Sequence, residues 1–435
     1  MAGSAHPLGG LTTWLDYVVP GLAARGWSPV LGLVEGPRHH RPERLLAAHP
    51  HEPWLRIPCS TGTPEGRCRA LARALDGARP DVAVGVNVPD LFPALDRVRR
   101  AGASARGLMT IHGIEPDLYA DAARFGDVLD GVAATNRLAC RLLEDVAGVE
   151  GERVFYAPYG VETEGTPSER ARAGGAFRIG FAGRLEQSQK RILDLPAIDR
   201  ALADLGVDAV LRVAGMGPEE EALRRELPAD RSAFLGAVPG PDLPARLFRE
   251  IDALVVPSRW ETGPLVAWEA MALGVPVVAS RYVGSGLEAA LRHEENALLF
   301  EIGDVAAAAR QLARLARDSA LCARLAAGGR ALVRARYTRT RSLDAWERAL
   351  ETVLELPPRP PARAPRVPAA TGRLERRLGA KRAEDVRRLL RRRGPDAGSG
   401  GEWPHAYGRG PGREEFLRRA ADLDRDAGGD ACSRP

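Results

Sequence analysis

Pro257 to Ser280 reads PSRWETGPLVAWEAMALGVPVVAS, and its polar residues are spaced to hold a sugar and an anion. The segment leaves one apolar strand, DALVV, and ends in another, VPVVAS. Between them the sequence predicts a helix with Pro264 at its first position and Thr262 or Gly263 as its cap. The amides of Leu265 and Val266 then lead the first turn unpaired, and with the helix dipole they offer a site for phosphate. Glu261 stands just before this helix and Glu269 lies within it. A rise of 1.5 Å per residue separates the two by roughly 10–12 Å. A carboxylate accepts two hydroxyl hydrogen bonds, so one glutamate suits a sugar and the other a ribose, across a diphosphate. FAGRLEQSQKR (Phe181–Arg191) supplies the opposite charge: Arg184 and Lys190 follow a predicted strand and can neutralise a diphosphate that gains charge as it leaves. Lys190 and Lys381 are the only lysines among 62 basic side chains, which makes a lysine at this place unusual for the chain.

Two glutamates at this spacing, taken alone, are most simply a solvated helix face. Embedded in P-S-x-x-E-x-x-P-L-V-x-x-E-A-M-A-x-G-x-P-V-V-A, they resemble the donor-binding segment of the retaining glycosyltransferases of the GT-B fold, family GT4. Other stretches match in order. Phe181–Arg191 resembles the family's G-R-L-x-x-x-K-G segment, slightly stretched by Gln187–Gln189, and gives Gly183, Arg184 and Lys190. VAGMGPEEEAL (Val213–Leu223) resembles the G-x-G-P turn near the nucleotide base, with Met216 and Gly217 at that turn. YAPYGVE, GSGLEAAL (Gly284–Leu291) and ENALLF resemble further family segments. In the first half, Leu8–Gly9–Gly10–Leu11 resembles the glycine loop that approaches the donor phosphates, and His112 in TIHG resembles an active-site histidine. The resemblance covers about residues 5–355 and implies a metal-independent enzyme without cofactor. It implies Glu261 on the sugar, Glu269 on the ribose, Arg184 and Lys190 on the diphosphate, and Gly9, Gly10, Gly263, Leu265 and Val266 presenting backbone to the donor.

These residues need a scaffold, and the rest of the chain describes one. From about residue 28 to 161, short β-prone runs alternate with helical stretches: Val30–Val34, Trp54–Ile57, Val82–Val86, Gly107–Ile111, Val132–Thr135 and Val154–Ala157. After a polar, glycine-rich stretch at 163–176 the alternation restarts with Phe177–Ala182, Ala209–Ala214, Ala233–Leu235, Ala253–Val256, Val275–Ala279 and Ala297–Phe300. Such alternation predicts α/β architecture, two doubly wound Rossmann-like domains, with ligands at the carboxyl ends of the strands and in a cleft between the domains. The expected boundaries are 1–162 for an acceptor-side domain, 163–176 for a linker, 177–337 for the nucleotide-sugar domain and 338–356 for a final helix packing back on the first domain. Residues 357–435 form a Pro/Arg-rich tail, expected to be mostly disordered, with one helix over 372–393.

Composition narrows the function. The chain has 435 residues, 45% hydrophobic and 27% charged, room for two or three domains. Its net charge of +5 divides into +8 for residues 357–435 and −3 for the remainder, so the body gives no case for nucleic-acid binding. The basic helix 372–393 could serve an anionic membrane surface or an acidic partner. Five widely spaced cysteines without a CxxC pair support neither a zinc ribbon nor a redox motif. No apolar run reaches the ~18 residues of a membrane span, and no secretory signal is evident. The expected place is the cytoplasm, or the inner face of its membrane.

Two departures from the family stand out. MAGSAHP, before the glycine loop, is not the apolar strand the family has there, so the first strand is expected to be missing, or encoded upstream of this start. Pro264 replaces a commoner glycine and offers no N–H. The reading is transfer of a sugar from a nucleotide-diphosphate sugar to a hydroxyl of a cell-surface polysaccharide, a glycolipid or a small metabolite. The rivals are a non-catalytic sugar-nucleotide-binding protein, a sugar-nucleotide epimerase or phosphorylase, and an NAD-dependent oxidoreductase. The last draws only on Gly284–Ser285–Gly286 with Ala289, and no acidic residue closes a following strand.

Overall fold

The computed structural model describes residues 1–4, 10–35, 41–163, 175–360, 372–392 and 410–425. They divide into two compact units: Met1–Ala157 with Leu343–Arg418, and Pro158–Ser342 with the residues from Arg419 onward.

The first unit is built on seven strands: β1 (Ala2–Ser4), β2 (Leu31–Val34), β3 (Trp54–Ile57), β4 (Val82–Val86), β5 (Arg106–Ile111), β6 (Gly131–Ala134) and β7 (Val154–Tyr156). They pair in parallel in the order β3-β2-β1-β4-β5-β6-β7. The near-continuous apolar runs follow from this placement, since a sheet covered by helices on both faces buries every position of strands such as β2 and β6.

The first strand, expected to be missing, is present. β1 takes the sheet's centre with three small residues, Ala2 paired to Gly32 and Gly85, and Gly3 to Leu33 and Val86. A parallel strand is held by backbone hydrogen bonds on both edges, so it needs no apolar side chains where neighbours fill the space. In the neighbouring β4, a Cβ on Gly85 would lie 2.7 Å from the Phe92 ring, which accounts for a glycine there. The residues just after β1, including Gly9, lie outside the described residues, and Gly10 opens the helix Gly10–Ala23.

The second unit holds β8 (Phe177–Ala182), β9 (Ala209–Ala214), β10 (Ser232–Gly236), β11 (Ala253–Val256), β12 (Val277–Ser280) and β13 (Leu298–Phe300). Their order is β10-β9-β8-β11-β12-β13, again parallel. One core joins strand residues Phe177, Ile179, Leu211 and Val255 to helix residues Leu202 and Leu312. Burying each such side chain contributes about 1.5–3 kcal/mol. With these two Rossmann-like units the chain has the GT-B fold.

In the tail the expected helix is present and a second one follows it. The two span Arg373–Leu389 and Arg413–Arg425, while 393–409 and 426–435 lie outside the described residues. The first does not present one apolar seam. It breaks at Gly379 (φ 75°), and Leu378, Leu389 and Leu390 are exposed. Its buried face is polar: Glu384 accepts hydrogen bonds from Thr61 (2.8 Å) and Thr63 (2.6 Å), and Glu375 pairs with Arg387. The bonds from Thr61 and Thr63 tie this helix to an earlier part of the first unit, and Ala383 is buried beside Glu384. Among the described residues no helix is long and apolar enough to cross a membrane.

Candidate functional site

Two loops leave the carboxyl ends of β8 and β9 and close on each other. Gly183 has φ +153° and Gly215 has φ +141°, and a Cβ on Gly215 would stand 1.8 Å from the Gly183 carbonyl oxygen. A Cβ on Gly217 would stand 2.1 Å from the Leu185 carbonyl oxygen, and the Leu185 amide donates to the Met216 carbonyl at 2.9 Å. Close packing of the two loops therefore demands the glycines. Met216 is left half exposed and Arg184 exposed beside it.

Glu186 then shapes the chain up to Lys190. Its buried carboxylate accepts the backbone amides of Gln189 and Lys190, both at 2.9 Å, and the hydroxyl of Ser188. This turn accommodates the residues that stretch the motif and aims Lys190 at the loop after β11. There the Lys190 Nζ meets Glu261 Oε1 at 2.6 Å. Ser258 Oγ donates to the same oxygen at 2.6 Å. The two loops are also tied by backbone: Arg259 N donates to the Gln189 carbonyl at 2.7 Å, and Gln189 Nε2 to the Trp260 carbonyl at 3.1 Å. Glu261 is only 6% exposed, so its charge is compensated by the ammonium and not by water.

The helix that follows spans Leu265–Ala272. Pro264 precedes it as the N-cap, not as its first residue, and neither Thr262 nor Gly263 is that cap. Gly263, at φ +116°, turns the chain, and the Pro264 carbonyl accepts from Ala267 (2.8 Å) and Trp268 (3.2 Å) to close the first turn. The missing proline N–H costs nothing there, because the first amides of a helix have no intrahelical acceptor; those of Leu265 and Val266 lead the turn. Trp268 stacks on Tyr337 at 4.4 Å and fixes the helix on its inner side. Glu269 is partly buried in the same helix, and burial pushes its carboxyl up to about 8, offset only in part by the Arg339 guanidinium.

The structure thus joins Lys190 directly to Glu261. Gly183 stands beside them, a Cβ there lying 3.7 Å from Lys190 Cε. Glu269 is separate from this pair, one helix further on. His112 and Gly10 belong to the first unit. His112 directly follows β5, accepts from or donates to Thr110 Oγ1 at 2.9 Å and packs 4.9 Å from Trp14. Burial lowers its pKa to about 3, so it is neutral at any working pH. Among the described residues no group of three or more His, Cys, Asp or Glu side chains is disposed to hold a metal ion.

Comparison with known proteins finds a family match in the second unit. Residues 176–318 match the model of the glycosyl transferases group 1. The match takes in about a third of the chain, the strands Phe177–Ala182 to Leu298–Phe300 of the second unit. The chain is similar to a D-inositol 3-phosphate glycosyltransferase of Salinispora tropica, 40% identical over 41% of this chain and 38% of that one. It is 33% identical to the protein of the same name from Acidothermus cellulolyticus, over 58% of each. The chain spans about half the length of the curated relatives it matches. Among solved structures, Anabaena HepE in complex with UDP-glucose superposes with TM-score 0.66 at 20% identity, covering 82% of this chain and 98% of that one.

Within the group 1 domain, sequence reasoning missed Glu186, Ser258 and Gln189. Glu186 and Gln189 act through backbone and carried no motif signal, while Ser258 stands in the P-S-x-x-E motif without a role having been read from it. Glu288, in the Gly284–Leu291 segment, turns away from any ligand role: it accepts Tyr337 Oη at 2.6 Å and Arg336 at 2.8 Å.

Proposed function

We propose that the chain is a glycosyltransferase that moves a sugar from a nucleoside-diphosphate sugar to a hydroxyl acceptor, with retention and without a metal. The observation that carries this reading is the Lys190–Glu261 pair, set at adjoining strand ends of a group 1 domain. Glu261 has one oxygen committed to Lys190 and Ser258, which orients the carboxylate towards sugar hydroxyls. Lys190 and Arg184 stabilise the diphosphate as the glycosidic bond breaks and negative charge collects on its oxygens. The amides of Leu265 and Val266 add the helix-terminal dipole, and Glu269 takes the ribose diol. The acceptor hydroxyl attacks the face from which the diphosphate leaves, and the departing phosphate takes its proton. UDP-glucose heads the donor panel because the similar HepE structure holds it. A phosphorylated cyclitol heads the acceptor panel because the curated relatives carry that name, with polysaccharide and glycolipid acceptors beside it. The reading as a binding protein without catalysis drew on a missing first strand, and β1 removes that ground.

The test is release of nucleoside diphosphate from a panel of nucleotide sugars in EDTA, with product anomers read by NMR. Acceptor-dependent release with a retained anomer is expected. Inverted product removes the retaining mechanism, and loss of release in EDTA removes the metal-free one. A full panel without any release or nucleotide binding sinks the transferase reading.

A further inference from the structure

The loop after β12 holds an anion that the protein supplies itself. Asp424, in the last turn of the helix Arg413–Arg425, is 6% exposed, and its carboxylate faces three backbone amides. Gly284 N donates to Oδ2 at 2.7 Å, Gly286 N to Oδ2 at 3.0 Å and Leu287 N to Oδ1 at 2.8 Å. Converging amides of this kind form a concave site for anionic oxygens. The fit is close: a Cβ on Gly286 would stand 2.2 Å from the Asp424 carbonyl oxygen.

The loop keeps its shape by bonds that do not involve Asp424. Ser285 donates to the Tyr282 carbonyl through its amide (3.0 Å) and its hydroxyl (2.7 Å), and Ala289 N donates to the Ser285 carbonyl at 3.1 Å. The loop also adjoins the site proposed for the donor. Glu261 N donates to the Val283 carbonyl at 3.1 Å, and the buried Tyr282 phenol is raised by burial and by Glu261, Glu288 and Asp424 together. An incoming anion meets little bare negative charge there, because Lys190 compensates Glu261 and Arg336 compensates Glu288.

We propose that the Gly284–Leu287 loop is a binding site for a phosphate group of a small-molecule ligand, and that Asp424 occupies it as a tethered competitor. Phosphate fits better than another carboxylate because it presents an oxygen to each of the three amides, and strand-end loops of open α/β sheets are where phosphates bind. A carboxylate tethered to the same chain acts at an effective concentration in the millimolar range or above. The wild-type site therefore opens to free phosphate only at high concentration, and more readily to a ligand that also gains contacts elsewhere.

The test uses the full-length chain as wild type, Asp424→Ala and Asp424→Asn, titrated with inorganic phosphate and with acetate in thermal-shift assays. Phosphate is expected to stabilise Asp424→Ala with a half-saturation at least ~10-fold below that of wild type, and Asp424→Asn, which keeps the side chain's size, to fall between. Limited proteolysis gives a second readout: phosphate at saturating concentration should make residues 413–425 of the wild type easier to cleave. Equal phosphate responses in all three proteins, a response to acetate alone, or phosphate-independent cleavage overturns the proposal. None of these readouts requires sugar transfer, so they stand or fall apart from the enzymatic reading.

Discussion

Glu261 and Glu269 come from one motif, yet they sit in opposite electrostatic regions. Glu261 lies in a loop between two strand ends, its charge met by Lys190 at 2.6 Å. Glu269 lies in a helix among apolar side chains, with only the influence of Arg339 against the cost of burial, and its carboxyl rises to about 8. Under the proposed function, the contrast separates two ways of holding hydroxyls. A paired carboxylate is a fixed acceptor, ready before the donor arrives. In the proposed role, a carboxyl poised near neutrality becomes charged when the donor binds and diol hydrogen bonds take over the role of water.

The largest effect that breaks this contrast is expected from Lys190→Ala. Turnover should fall by ~10²–10³-fold, the scale of losing one preorganised electrostatic donor, and unchanged turnover in a steady-state assay removes Lys190 from the site. Glu269→Gln sharpens the other side. A carboxyl whose folded pKa lies above its unfolded value near 4.5 destabilises the fold as it ionises. That penalty is absent below about pH 4.5, grows as pH rises towards about 8 and then levels. Chemical denaturation of the unliganded proteins should show Glu269→Gln gaining on wild type by about 3 kcal/mol between pH 4.5 and 9, reduced from the full linkage by partial exposure. A pH-independent difference contradicts a buried neutral carboxyl.

Calorimetry of nucleotide binding at pH 7, in buffers of different ionisation enthalpy, should register release of most of one proton in wild type and none in Glu269→Gln. Release that survives the substitution assigns the proton elsewhere. Ser258→Ala carries the smallest expected effect. It removes one neutral hydrogen bond to Glu261, worth about 1 kcal/mol, so a several-fold rise in KM is expected and a kcat near that of wild type.

Much of the scaffold was legible in the sequence because buried parallel strands announce themselves as apolar runs. Phe177–Ala182, Ala209–Ala214 and Ala253–Val256 are strands with the very limits the pattern suggested. β1 was not legible, because its place at the centre of the sheet is fixed by backbone pairing and glycine neighbours, and AGS carries no hydrophobic signal. At the site, the lone lysine of the body and the two glutamates stood out by type and spacing. Glu186 and Ser258 did not, since the first binds the backbone amides of its own turn and the second reaches Glu261, three residues on, only through the way the loop folds. In the tail the helix itself was legible, but its fastening was not. Its helix Arg373–Leu389 is fastened by Glu384 to two threonine hydroxyls more than three hundred residues earlier, and composition alone cannot register a contact of that range.

The pairing of Trp14 with Trp346, ring centroids 4.8 Å apart, has a consequence for synthesis on the ribosome. The second unit is mostly one continuous stretch, Pro158–Ser342, and can collapse once that stretch has emerged. The first unit begins earlier but finishes later: Trp14, fully buried, receives its partner only after the whole intervening domain has been made. Its nascent sheet must persist with an uncovered aromatic surface for many seconds at ordinary elongation rates. Chaperone dependence and stalled intermediates should therefore concentrate in the half of the chain that is translated first.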